Sequence, residues 1–260
     1  MALSKSHELV TLIAACRRFG TNEGLKKFNE IAAYAVLPDA IRCFKFVPEE
    51  EKATLPNNRV VSHFEQNPFS GEVSGMKFPD IQALKVLDEE LIFNLPKKVV
   101  TGYQQSGFGD LTRLDYFEKW NEGLDEPVFF GCKLHLKQDR VFDKETREII
   151  KITRKKETED IFTFKDVEID SKTARTIIGE IEQQQFKVLC DMLHAEFALD
   201  IDATWFDENV KPVLYRDFCP HMAESTYKYM TFGEVTNRHM TDSEVKAIIE
   251  KMIRTTWVEL

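Results

Sequence analysis

A chain of 260 residues with 43% hydrophobic and 30% charged side chains is long enough to bury a full core and too well mixed to be disordered. Thirty-five Lys and Arg against 44 Asp and Glu leave a net charge of -9 at pH 7, which opposes loose attraction to nucleic-acid backbones and anionic lipid and leaves no strong nucleic-acid signature. No run of about eighteen uncharged apolar residues offers a membrane span, the N-terminal stretch lacks the apolar core and cleavage site of a secretory leader, and the five cysteines (Cys16, Cys43, Cys132, Cys190, Cys219) form no CxxC or CxC pair; together these point to a cytoplasmic protein without a disulfide framework or a cysteine zinc site.

Leu9, Leu12, Ile13 and Cys16 recur at helical spacing after Ser6, a residue type that caps helices, and predict a helix running to Arg18 and stopped at Gly20. A second helix follows Asn22, with Leu25, Phe28, Ile31, Ala32 and Ala35 as its buried stripe. It must break at Leu37-Pro38-Asp39, because proline disfavours helical geometry in the residue before it. Asp39 then stands where the chain enters the core, as the cap of the next helix, as a metal ligand, or as both. Val47 to Gln66 is a charged, proline-containing connection that leads into Val60-Val61 and Ser62-His63-Phe64-Glu65. Taken alone, an imidazole such as His63 is more often a satisfied structural group than a ligand.

Residues 67–127 read as a loop-rich excursion holding one helix that ends before Pro96, a length of chain that suits a lid or pocket wall. Within it Ser106-Gly107-Phe108-Gly109 is too short for a Walker or dinucleotide fingerprint and lacks the following Lys-Ser/Thr, so it reads as a turn before a helix with Leu111, Leu114, Phe117 and Trp120 inward. Next comes Phe129 to Asp143, FFGCKLHLKQDRVFD, in which Phe130, Leu134, Val141 and Phe142 supply packing. His135 and Asp139, four residues apart, leave the same face of this helix one turn from each other. That geometry serves a metal ion or a plain ion pair.

Residues 146–170 form a β-hairpin arm, with short β-branched pieces on either side of the charged RKKETED; Arg154, Lys155 and Lys156 at its tip are a solvated charge run or a contact for an anionic partner. Ser171 begins the longest helix, with Ile177, Ile178, Ile181, Leu189, Met192, Leu193 and Phe197 as its stripe and His194 one turn after Asp191. Shorter helices fill residues 200–232, one of them opened by Pro220 and carrying His221 and Glu224. Thr241 and Glu244 make the capping box of a final helix whose stripe is Val245, Ile248, Ile249, Met252, Ile253 and Trp257. The sum is a mainly α, helical bundle-like single domain over residues 1–260 with a small β-hairpin insertion.

Of the six histidines, His63, His135 and His194 lie on separate, largely apolar elements, and helices that each offer a His and a carboxylate are how a bundle builds an interior metal site. The candidate ligands are Asp39, His63, His135, Asp139 and His194. Such a donor set without thiolates suits Zn, Mn, Fe or Mg, with room for two ions if all five converge. An ion there activates water; Glu65 would serve as general base or as partner of a ligand, and Arg42 would neutralise a phosphoryl oxygen. The segment AAYAVLPDAIRCF, the later SHF and the HxxxD helix resemble the all-helical metal-dependent hydrolases of the zinc-dependent phospholipase C type and, more loosely, the HD-domain phosphohydrolases. The resemblance implies a helical bundle with a di- or trinuclear centre that cleaves phosphoesters, and it carries across Asp39, His63, His135 and Asp139. The chain departs from it in having no adjacent His-Asp pair and no N-terminus of the kind that secretion produces. The expected function is a metal-dependent hydrolase, a phosphodiesterase acting on a small phosphorylated or nucleotide substrate. The alternative is a non-enzymatic interaction or small-molecule-binding protein with structural histidines.

Overall fold

The computed structural model describes residues 4–40, 126–154, 161–218, 220–228, 230, 235 and 237–257. Arg42, His63, Glu65, the glycine turn at 106–109 and all but the end of the 67–127 excursion lie outside the described residues. The fold is mainly α with a small antiparallel sheet, as the periodicities require.

Helix α1 covers Ser4–Phe19, and every residue from Lys5 to Cys16 is buried. The run Leu9-Val10-Thr11-Leu12-Ile13-Ala14-Ala15-Cys16 presents apolar groups on all sides of a helix, and such a helix can only be a central one. It stops where Gly20 takes φ +80° and returns its N–H to the Cys16 carbonyl at 2.9 Å, a left-handed conformation in which a Cβ would be strained. Helix α2 (Thr21–Ala35) follows at once, and α3 (Leu37–Ala40) is a single turn after the break at Val36. Asp39 therefore sits inside a short turn of helix, its N–H bonded to the Val36 carbonyl at 3.0 Å.

Helix α4 (Glu126–Ile150) extends the expected Phe129–Asp143 run at both ends. Residues 146–150, read from sequence as the start of the arm, are its last turns. The sheet begins with β1 (Ile152–Arg154), pairs antiparallel with β2 (Ile161–Phe164) at Thr153↔Thr163, and continues to β3 (Val167–Asp170) at Phe162↔Ile169. The expected hairpin is thus present with a third strand added. Its second turn is the two residues Lys165-Asp166, at φ 50° and 66°, the left-handed pair whose twist matches a tight hairpin. No Gly or Asn marks this turn in the sequence. Lys155 and Lys156 are outside the described residues.

Asp170 ends β3 and caps helix α5 (Ser171–Phe197), accepting from the Thr173 N–H at 2.6 Å. Short helices α6 (Ala203–Asn209), α7 (Lys211–Asp217) and α8 (Pro220–Lys228) follow, the last opened by Pro220 as its sequence suggests. Helix α9 spans Asp242–Trp257. Its capping box is formed as read: the Thr241 hydroxyl accepts from the Glu244 N–H at 3.2 Å, and Glu244 Oε2 accepts from the Thr241 N–H at 2.7 Å. Thr241→Ala is expected to lower unfolding stability by about 1 kcal/mol, the usual worth of such a cap, measured by urea denaturation.

The chain divides into two compact units, one of Met1–Phe28, Lys137–Trp205 and Phe232–Leu260, the other of Asn29–Leu136 and Phe206–Thr231. In the first, α1 packs against both α5 and α9, these pack on each other, and the sheet lies on α5. Arg17 at the end of α1 bonds Glu196 of α5 and Glu250 of α9 at 2.7 to 2.8 Å. His239 Nε2 meets Glu180 of α5 at 2.5 Å while its ring stands edge-on to Phe164 of β2, so this histidine clasps the sheet to the helix. In the second unit α8 packs on α7 and α3, and Arg216 of α7 donates to the Asn29 carbonyl of α2 at 2.7 Å. Among the described residues no helix is long and apolar enough to cross a membrane.

Candidate metal site

In the unit formed by Asn29–Leu136 and Phe206–Thr231, His135 projects from α4 toward the end of α2. Its Nδ1–H donates to the Ala35 carbonyl at 2.8 Å. A carbonyl only accepts, so Nδ1 carries a proton and the neutral ring holds its lone pair on Nε2. Asp39 Oδ1 lies 4.0 Å from that Nε2, and the Asp39 side chain is 12% exposed against 1% for His135. The proline break that ends α2 is what turns Asp39 toward the ring.

In the other unit, His7 of α1 repeats the pattern. Its Nδ1 meets Gln138 Oε1 at 2.7 Å, and its Nε2 lies 3.3 Å from Asp139 Oδ1. All three side chains are essentially fully buried. An amide oxygen is an acceptor, so Nδ1 again supplies the proton. A lone pair on Nε2 would face a carboxylate oxygen at close range and repel it. A positive charge relieves this, either as a proton on the ring or as a cation held by both groups. His135 and Asp139 belong to one continuous helix and stand one turn apart on it.

Two neighbours define what else the region can do. Glu8, next to His7, is fully buried, neither carboxylate oxygen has a hydrogen-bond partner among the described residues, and burial pushes its carboxyl well above the ordinary value. Cys132, one turn before His135, has its thiol pushed well up by burial, so it is a protonated core side chain rather than a thiolate. Burial likewise lifts Cys16 to about 11 and Cys190 to about 12. Among the described residues these cysteines are free thiols without the lowered pKa a nucleophile needs, which leaves nitrogen and oxygen donors to carry any chemistry.

The sequence-derived residues thus separate clearly. Asp39 is brought to His135, and Asp139 is brought into a buried pair, with His7 as its partner. His194 does not join them: its side chain is 68% exposed at the end of α5, with Nδ1 2.7 Å from Asp200, because it lies past the buried face defined by Leu189, Met192 and Leu193. Asp191, the neighbour expected for it, pairs with Lys187. His63, Glu65 and Arg42 are outside the described residues. His7 was not singled out in the sequence, where it precedes the apolar stripe and looks like part of a polar helix start. The available signal is the all-round apolarity of residues 9–16, which carries the preceding turn into the core with them. Compared with protein-family models, curated proteins and solved structures, the chain matches none.

Proposed function

We propose that the protein is a metal-dependent hydrolase of phosphoesters and that its buried His–Asp pairs, His7 with Asp139 in one unit and His135 with Asp39 in the other, are each a place where a divalent cation binds. The observation that carries this reading is a repeated one: each histidine spends Nδ1 on a fixed acceptor and turns Nε2 toward an aspartate oxygen. Histidines that ligate metals are held in this way, with the second nitrogen donating to a carbonyl or carboxamide that fixes the tautomer. Each pair offers one imidazole and one carboxylate, donor types that a divalent metal ion uses. Donors about 2.0 Å from a zinc-like centre lie about 3.3 Å from one another. The His7–Asp139 separation of 3.3 Å matches such an edge, whereas the 4.0 Å between His135 and Asp39 is wider, so an ion held there would draw the α3 turn bearing Asp39 inward.

The Leu37-Pro38-Asp39 and His135–Asp139 segments that resemble helical metal-dependent hydrolases supply Asp39, His135 and Asp139 of this set. A bound divalent ion lowers the pKa of a coordinated water to about 7, which is the nucleophile phosphoester hydrolysis requires. Asp39, the most exposed donor, marks the side from which a small phosphorylated substrate reaches the site. The free thiols fit a reducing compartment, and we place the protein in the cytoplasm on that ground.

The test is to strip the protein with chelator and add Zn²⁺, Mn²⁺ or Mg²⁺. Binding at about 100 times the Kd adds roughly 2.7 kcal/mol of stability, a rise in melting temperature of several degrees. Hydrolysis of bis-p-nitrophenyl phosphate should then appear only with the ion that binds. If none of the three ions shifts the melting curve, the histidines are structural and the non-enzymatic alternative is the better account.

A further inference from the structure

We infer that Thr256, in the last turn of α9, is a positioning residue that selects the nitrogen His7 offers as a ligand. The inference rests on the proposed ligand role of His7. Everything His7 can do through Nε2 depends on which end of the Gln138 amide faces Nδ1. With the oxygen toward the ring, Nδ1 keeps the proton and Nε2 is the donor atom for a cation. With the amide turned over, its NH2 donates to Nδ1, the proton moves to Nε2, and the ligand atom is lost.

The orientation is decided one bond further out. Gln138 Nε2 lies 2.9 Å from Thr256 Oγ1 and 3.2 Å from Thr11 Oγ1. The Thr256 hydroxyl donates its proton to the Met252 carbonyl one helical turn back, at 2.9 Å. Its oxygen can then only accept from Gln138, so the amide NH2 must point at Thr256 and the amide oxygen at His7. Thr11 makes no such backbone bond among the described residues, and its hydroxyl serves an amide in either orientation. Thr256, Gln138, Thr11 and His7 are each 0% exposed, so water does not compete for these bonds. A hydroxyl on the final helix therefore sets the tautomer of a histidine on the first.

Long-range ¹H–¹⁵N NMR on metal-free protein reads whether His7 Nδ1 carries a proton, independently of any metal. Protonated Nδ1 is expected in the wild type, in Thr11→Val and in Thr256→Ser, which keeps the hydroxyl. In Thr256→Val a substantial fraction of Nδ1 should lose its proton, and Zn²⁺ affinity should fall roughly tenfold to hundredfold, the usual range for groups that orient a ligand. Folded Thr256→Val with Nδ1 fully protonated, or Thr11→Val shifting the resonance as far, overturns the inference. If Thr256→Val does not fold, Thr256→Ala carries the test: it removes the same hydroxyl, so part of Nδ1 should again lose its proton, and an Nδ1 that stays fully protonated there overturns it. If the tautomer follows Thr256 but the wild type binds no Zn²⁺, the relay stands and the metal reading falls.

Discussion

Gly131→Ala is expected to lower the stability of the protein by about 2 kcal/mol or more, although it replaces a glycine inside a helix. The helix term favours the change by about 1 kcal/mol. Against it stands the contact between α4 and the end of α2: a Cβ on residue 131 would lie 2.4 Å from Tyr34 Cβ, 2.6 Å from the Tyr34 carbonyl carbon and 2.9 Å from the Ala35 nitrogen. No rotamer relieves a clash with backbone, so the helices must part, at a cost at or beyond the top of the roughly 1 to 3 kcal/mol usual for overpacking, which exceeds the helix term by about 2 kcal/mol. The damage reaches the site, since His135 lies one turn after Gly131 and donates to the carbonyl of Ala35, the residue after Tyr34. Thermal denaturation should show a drop of about 4 to 8 °C. Gly179→Ala on α5, where an added Cβ meets nothing within 4 Å, isolates the helix term and should raise stability slightly. Equal behaviour of the two variants would mean that α2 and α4 do not approach closely.

Glu8→Gln is expected to stabilise the metal-free protein at neutral and alkaline pH and to leave it nearly unchanged in acid. Burial holds the Glu8 carboxyl well above its ordinary value near 4.5, with no partner among the described residues on either oxygen to stabilise the anion. Above pH 4.5 and up to the raised folded value, the folded state keeps a proton that the unfolded state has released. Stability therefore falls as pH rises through that window, by up to about 1.4 kcal/mol per pH unit from this one group. Gln has nearly the same shape and never ionises, so it removes the slope. Urea denaturation of both proteins between pH 5 and 8, with chelator present, should give curves that diverge as pH rises. Parallel curves would show that Glu8 is not buried as an acid.

What was legible in the sequence follows from how local each cause is. The α9 cap needs only Thr241 and Glu244, three residues apart, and the stop at Gly20 needs one residue; both were readable and both are present. The break at Pro38 was readable for the same reason, and with it the special place of Asp39. The end of α4 was harder, because Ile149-Ile150 are β-branched and the helix holds them only through its length and the burial of Ile150. The Lys165-Asp166 turn has only Asp166 as a turn-forming residue and no Gly or Asn, so the third strand had a weak herald. Of the two His–Asp pairs, one member of each, His135 and Asp139, lies on the same helix and announced itself. His7 lies 131 positions from Gln138, and no pattern along the chain encodes that meeting. His194 failed for the opposite reason: its neighbours looked right, but one step around the helix from Leu193 takes a side chain from the core to solvent.

The two bonds that Arg17 makes to Glu196 and Glu250 also bear on how the chain is made. Glu250 is 233 positions away from Arg17, and α9, which holds it, is one of the two helices that cover α1. At about 5 to 20 residues per second, a ribosome needs on the order of ten to fifty seconds to synthesise that interval. For all of that time a helix apolar on every side has no final cover. The unit around α1 cannot fold vectorially from its beginning, and a segment buried at every residue from Lys5 to Cys16 is the one that waits longest.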